Sequence, residues 1–154
     1  MTRVNPLLGK PNVTPIRKGG ATGKVGYFGM TRKKPSGEAK QHNGLDLLSV
    51  PGWPVYAAHA GKVTRAGFQN RADPDEGYGK RIYLKDGDTV SVYAHLDMIA
   101  VDAGDEVECG ELIGHVGRTG NLTHEGRERT PTHLHWGVMQ SGAWIDPTIW
   151  LLAQ

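Results

Sequence analysis

The chain has 154 residues and a mass of 16.7 kDa, with 18 Lys and Arg residues against 16 Asp and Glu residues. A content of 38% hydrophobic and 22% charged residues is typical of one soluble globular domain, and it argues against disordered, fibrous and multi-domain chains. No apolar run approaches the ~20 residues that span a bilayer, so no transmembrane segment is predicted, and the single Cys109 excludes an intramolecular disulfide.

The N-terminal segment differs from the rest of the chain. Residues 1–24 contain three prolines and four glycines without a periodic pattern, which predicts a basic N-terminal arm or irregular lead-in before a domain over residues 25–154. Residues 1–40 carry nine basic residues and one acidic residue, a formal charge of +8, and the remainder carries −6. This asymmetry indicates an anionic partner, such as nucleic acid, lipid or a wall polymer, or else a merely solvated tail.

Short alternating segments separated by glycines follow the arm. They predict strands at 54–60, 61–66, 79–85, 89–96, 106–110, 111–117 and 132–138, and a brief helix or turn at 147–152. With 22 glycines in the chain, this spacing favours a mostly β fold with little helix.

The strand at 132–138 carries two histidines on one face. Because side chains alternate in a strand, the apolar Leu134, Trp136 and Val138 share the core face, and His133 and His135 share the opposite one. The two imidazoles therefore project side by side.

A third histidine occupies a similar position in the strand at 89–96. The alternation puts Ser91, Tyr93 and His95 opposite a core face formed by Val90, Val92, Ala94 and Leu96. Tyr93 then either lines the same cleft as His95 or packs across strands.

The segment 42–46 adds a carboxylate. A spacing of four places His42 and Asp46 on one side, and Gly44 leaves the space between them free of side chains. Two histidines, one carboxylate and a water are the ligands of a typical catalytic zinc site. His42, Asp46 and one histidine of the 133/135 pair would form this set.

The same residues resemble a known family. The motifs HNGLD (42–46), GYGKRIYL (77–84), VYAHLD (92–97) and THLHWGV (132–138) resemble, in order, the catalytic domain of the M23, or lysostaphin/LytM-type, zinc metallopeptidases. The resemblance implies an antiparallel β-sheet core with a loop-bounded groove and one Zn²⁺ per chain. It also implies a peptidoglycan endopeptidase that hydrolyses peptide cross-links or stem peptides.

The family pattern assigns a role to five residues. It implies that His42, Asp46 and His135 bind the zinc and that His95 and His133 are catalytic residues that do not bind it. The remaining histidines, His59, His115 and His124, are interpreted as structural or surface residues.

Two connections depart from the family pattern. Twelve residues, including His124, separate Gly120 from His133, and the connection at 68–76 is also long. We expect these loops to change what the groove accepts. The alternative function is a catalytically silent wall-binding or regulatory module, but the presence of all five residues argues against it.

A wall-active enzyme has to reach the wall. Pro6, Gly9 and Lys10 interrupt the N-terminus, so no segment of signal-peptide type is predicted. We therefore expect a monomeric bacteriolytic enzyme of endolysin type that acts outside the cell or in the periplasm. It would reach the wall through phage lysis, association with a virion or loss of a leader. No nucleic-acid partner is expected.

Overall fold

Antiparallel strands are the main regular structure of the protein. A computed structural model describes residues 1–8, 26–124, 127–128 and 130–153. The elements are β1 (Gly29–Lys33), β2 (Ala39–His42), β3 (Leu45–Leu48), β4 (Pro54–Tyr56), β5 (Gly61–Phe68), β6 (Lys80–Asp86), β7 (Thr89–Ile99), β8 (Glu106–Val107), β9 (Leu112–Val116), β10 (Thr123–His124), β11 (Arg127–Glu128), β12 (His133–Gln140), β13 (Ala143–Ile145) and α1 (Pro147–Leu152). The predicted mostly β, antiparallel fold is confirmed.

One large sheet organises these strands. Its order is β13-β12-β7-β6-β5-β8, with β3 paired to β12, β9 to β7, and β4 to β9. Two hairpins, β1-β2 and β10-β11, form separate small sheets. Strands β6 and β7 bury Ile82, Leu84 and Val92 completely, and such branched side chains fit the pleated surface of a sheet well.

The strand register brings the sequence motifs together. β12 is antiparallel to both β3 and β7, and His135 lies opposite Asp46 on β3 and opposite Ala94 on β7. Residues separated by about ninety positions in the chain thus become neighbours in the sheet. His42 ends β2, and two residues separate it from the start of β3.

The alternation prediction is correct for β12 and only partly correct for β7. Leu134, Trp136 and Val138 are buried in the core as predicted. Ser91 and Tyr93, which were predicted to lie opposite the core, are completely buried as well. The polar atoms of both are hydrogen-bonded inside the protein, so β7 is covered on both faces and Tyr93 does not line the cleft.

The first eight residues pack against the sheet and the helix. Val4 N–H donates to Ala58 O at 2.9 Å, Tyr56 N–H donates to Pro6 O at 2.8 Å, and Leu7 belongs to the core. Residues 9–24 of the predicted arm lie outside the described residues, and the division into arm and domain stays a prediction. Within the described ranges no helix is long and apolar enough to cross a membrane.

Candidate metal centre

Three of the predicted site residues form a buried cluster. His42, Asp46 and His135 are each only 3–5% exposed. Asp46 Oδ1 lies 3.1 Å from His42 Nε2 and 2.9 Å from His135 Nδ1, and the two nitrogen atoms are 3.3 Å apart. The structure therefore brings one potential ligand atom of each residue to a common point.

The hydrogen bonds of His42 and Asp46 make this point suitable for a cation. His42 Nδ1 lies 2.8 Å from Tyr27 O, which only accepts, so the ring hydrogen is assigned to Nδ1 and a lone pair at Nε2. That lone pair faces the carboxylate and His135 Nδ1. Either a proton on His135 Nδ1 or a metal ion satisfies the three atoms.

The spacing of the three atoms fits zinc. Ligand atoms bound tetrahedrally at about 2.0–2.1 Å are separated by about 3.3 Å, and the three separations here are 2.9, 3.1 and 3.3 Å. Two imidazoles and a carboxylate are also the donor types of catalytic zinc sites, which keep a fourth position open. The residues present thus fit this metal.

The surroundings favour an ionised Asp46 and a neutral His135. Burial alone would raise the pKa of Asp46, but its close contacts with His135 and His42, together with the positive charge that His135 and His133 can carry, hold that pKa well below its usual value. Burial lowers the pKa of His135, although Asp46 opposes this shift. An ionised carboxylate beside a neutral His135 ring is the protonation state of these two residues that a metal ion requires.

His133 lies beside the cluster without belonging to it. Its Nδ1 is 2.9 Å from Pro131 O and so carries the ring hydrogen, which leaves a lone pair on Nε2, 3.6 Å from Asp46 Oδ1. Burial lowers the pKa of His133, and the charge of Asp46 partly offsets that effect. A neutral ring with a free Nε2 can accept a proton near the cluster.

A β-bulge positions His95. Tyr93 pairs with Ile82 and Leu96 pairs with Lys80, so two residues of β7 lie opposite one residue of β6. His95 adopts a φ of +63°, which is rare for a residue other than glycine. Such a bulge redirects a side chain out of the regular alternation.

Three backbone contacts hold His95 in this conformation. Its N–H donates to Tyr78 O and its carbonyl accepts from Gly117 N–H, both at 2.9 Å. Its Nδ1 donates to Thr119 O at 2.9 Å. The ring lies 5.0 Å, centroid to centroid, from the ring of His133. Burial and the neighbouring histidines lower the pKa of His95 well below its ordinary value, so the ring is neutral near pH 7.

Sequence reasoning missed two residues that contact the cluster. The guanidinium of Arg32 pairs with Asp46 Oδ2. In the sequence, Arg32 was only one of the basic residues of the N-terminal region. Tyr78 stacks on His135 with ring centroids 5.1 Å apart, and burial is the main cause that raises its pKa to about 12. The motif GYGKRIYL contained Tyr78, whereas only the fold could identify Arg32.

The two long connections lie close to each other. Gly120 N–H donates to Pro74 O at 2.8 Å, and Asn121 N–H donates to Gly77 O at 2.9 Å. Arg118 Nη1 donates to Thr132 Oγ1 at 2.8 Å and so joins the two ends of the 121–132 loop. The side chain of His124 lies outside the described residues.

His59 takes part in a separate buried network. Its Nδ1 donates to Ala60 O at 2.7 Å, and its Nε2 lies 2.9 Å from Ser91 Oγ. Ser91 Oγ is 2.8 Å from Tyr93 Oη, which accepts the N–H of Ala58 at 2.8 Å. This supports the structural interpretation of His59.

Known proteins resemble the chain in both sequence and structure. The chain is 28% identical over 113 residues to the peptidoglycan DD-endopeptidase ShyC of Vibrio cholerae, covering 73% of this chain and 23% of that protein. It also resembles the catalytic domain of the antimicrobial peptidase lysostaphin from Staphylococcus simulans, with 30% identity, a TM-score of 0.65, and coverage of 83% and 90% of the two chains. A zinc-containing peptidase from Vibrio cholerae matches with 28% identity, a TM-score of 0.67, and coverage of 88% and 36%.

The similarity extends over most of this chain but over only part of its relatives. The chain spans 23–40% of the length of the first curated relatives that it matches. The sequence model described as peptidase family M23 matches residues 40–147. That range contains His42, Asp46, His95, His133 and His135. The chain therefore belongs to peptidase family M23.

Proposed function

We propose that the protein is a zinc-dependent endopeptidase that hydrolyses peptide cross-links or stem peptides of bacterial peptidoglycan. The observation that carries this proposal is the convergence of His42 Nε2, Asp46 Oδ1 and His135 Nδ1 within 3.3 Å of one another. Two further histidines beside this cluster each keep a free ring nitrogen. Metal binding and proton transfer are therefore assigned to different side chains.

The three ligands would hold one zinc ion. When bound, zinc supplies Lewis acidity, which acidifies water and polarises the scissile carbonyl. His42 is oriented for this role by the bond from Nδ1 to Tyr27 O, and such outer hydrogen bonds fix the tautomer of a metal-binding histidine. The carboxylate of Asp46 would supply one negative charge to the positively charged zinc ion.

His133 and His95 would move the protons. Each donates Nδ1–H to a backbone carbonyl, Pro131 O or Thr119 O, and keeps Nε2 as an acceptor. The pair can accept the proton of the attacking water and return one to the leaving amine. The nearby Asp46 carboxylate stabilises the imidazolium form of His133, since its charge raises the pKa of that ring.

The substrate class follows from the relatives. ShyC is named a peptidoglycan DD-endopeptidase, and lysostaphin is named an antimicrobial peptidase. The first name supports a peptide of peptidoglycan as the substrate, and the second supports peptidase activity. The protein would then act in the periplasm or outside the cell. Delivery by phage lysis, on a virion or after loss of a leader stays a prediction.

Digestion of purified peptidoglycan tests this function. The zinc-loaded protein should release peptides whose masses identify the cleaved bond, and His135→Ala should release none because a ligand is lost. His115→Ala is the matched control, since His115 lies on β9 and does not belong to the group of candidate ligands, and it should digest normally. A wild-type protein that binds zinc and the wall but releases nothing would support the silent binding module instead.

The basic N-terminal region would increase the affinity for the wall. The formal charge of +8 over residues 1–40 supports attraction to anionic wall polymers or to the outer leaflet. Replacing Lys10, Arg17, Lys18 and Lys24 by glutamine tests this without removing Leu7 from the core. Binding should weaken at low salt and change little at high salt, where charges are screened. Equal losses at both salt concentrations would contradict the proposal.

A further inference from the structure

The carboxylate of Asp46 has a different partner on each oxygen. Oδ1 faces His42 and His135 of the cluster and the neighbouring His133, whereas Oδ2 accepts a hydrogen bond from the Arg32 guanidinium. The side chain of Asp46 is only 4% exposed, and that of Arg32 is 30% exposed. Arg32 therefore binds the oxygen that points away from the candidate ligands.

The segment that carries Arg32 also fixes the backbone around the ligands. Asp46 N–H donates to Gly26 O at 2.8 Å, and Tyr27 O accepts the ring hydrogen of His42. Thr31 is buried, and its hydroxyl donates to the same Tyr27 carbonyl at 2.9 Å. These contacts come from residues that precede the range matched by the family, which begins at residue 40. A short N-terminal segment thus holds two of the three ligands.

Loss of Arg32 would have two opposing effects on a bound cation. Removing the positive charge of Arg32 would reduce its repulsion of the cation and so favour metal binding, but solvent screens this repulsion because the guanidinium is partly exposed. The lost hydrogen bond would free the carboxylate to rotate and leave a buried oxygen unpaired. Ligands that lose such an outer partner bind their metal about 10- to 100-fold more weakly, so the second effect dominates.

We propose that Arg32 is a positioning residue of the metal site, which holds Asp46 Oδ2 so that Oδ1 faces His42 and His135. The inference rests on the proposed zinc site. It assigns to Arg32 no contact with substrate and no part in proton transfer. Its effect should therefore appear in zinc affinity before any substrate is added.

Zinc affinity of the chelator-treated protein tests the proposal. Competition with a chromophoric chelator should give Arg32→Gln a zinc affinity about 10- to 100-fold weaker than that of the wild type. Arg32→Lys keeps the charge without the planar fork and should lie between the two. Lys33→Gln removes the same charge from the exposed neighbouring side chain and should bind zinc like the wild type.

The controls separate positioning from folding. Thermal unfolding of the metal-free variants reports any loss of stability, and a purely structural role would lower stability while leaving zinc affinity unchanged. If Arg32→Gln does not fold, the zinc affinity of Arg32→Lys tests the proposal instead. An intermediate affinity supports the proposal, and an affinity equal to that of the wild type overturns it. An Arg32→Gln affinity within twofold of the wild type, or tighter, overturns the proposal. A wild-type protein that binds no zinc refutes the proposed function itself, and this inference with it.

Discussion

Replacing His95 by alanine should separate turnover from metal binding. The ring of His95 donates Nδ1–H to Thr119 O, and it lies outside the group of His42, Asp46 and His135. Its centroid is 6.2 Å from that of His135. The substitution removes a proton acceptor and leaves all three ligand atoms in place.

The size of the effect follows from this position. General acid–base catalysis by a placed histidine contributes about 10²- to 10⁴-fold, which corresponds to about 2.7–5.4 kcal/mol of barrier. Peptide release by His95→Ala should fall by that factor. Loss of the hydrogen bond to the Thr119 carbonyl should lower the free energy of unfolding by about 1–3 kcal/mol, and the zinc content should stay at one ion per chain.

Two measurements on the same sample decide this prediction. Peptide release from peptidoglycan reports turnover, and metal analysis after gel filtration reports zinc. His115→Ala serves as the control for loss of a histidine elsewhere in the sheet. The reasoning is refuted if His95→Ala keeps more than a tenth of the wild-type activity, or if it loses its zinc.

Three further changes test other parts of the structure. A Cβ on Gly44 would lie 2.5 Å from Trp136 O, so Gly44→Ala should weaken zinc binding and cost about 1–3 kcal/mol of stability; unchanged zinc competition would contradict this. Tyr93→Phe leaves the buried N–H of Ala58 without its acceptor, which should lower the free energy of unfolding by about 1–3 kcal/mol. The melting temperature of this variant should drop by about 2–4 °C for each kcal/mol lost. Tyr83→Phe is the control and should melt like the wild type. Burial lowers the pKa of His59, so this ring stays neutral in the folded protein at a pH where it takes up a proton in the unfolded chain. The free energy of unfolding of the metal-free protein should therefore fall as the pH drops below ~6.5. The loss should be up to about 1.4 kcal/mol per pH unit for each histidine shifted in this way. A flat profile between pH 7 and 5 would refute it.

The sequence predicted most strands of the large sheet, because glycines and alternation mark strands locally, but it did not predict β3 or β13. The predicted strand at 132–138 corresponds to β12, and the brief helix at 147–152 corresponds to α1. The candidate ligand set was only partly accessible for the same reason. HxxxD and HxH each place side chains on one face, but the choice of His135 over His133 came from the family resemblance. The family resemblance then predicted that these separate motifs contribute residues to one site.

The remaining features depend on contacts that no local pattern encodes. Tyr93 was expected to lie opposite the core, but its hydroxyl finds Ala58 N–H and Ser91 Oγ inside the protein, which permits burial. The bulge that redirects His95 is a property of the pairing of β6 with β7. Arg32 reaches Asp46 because the β1-β2 hairpin folds back toward the site.

The dependence of peptidoglycan hydrolysis on zinc tests the central claim most directly. The protein would be stripped with a chelator, dialysed, and assayed on purified peptidoglycan before and after addition of one equivalent of zinc, with mass analysis of the released peptides. The convergence of His42, Asp46 and His135 predicts no release from the stripped protein and full recovery with zinc. Undiminished release by a protein shown to contain no metal would contradict the account.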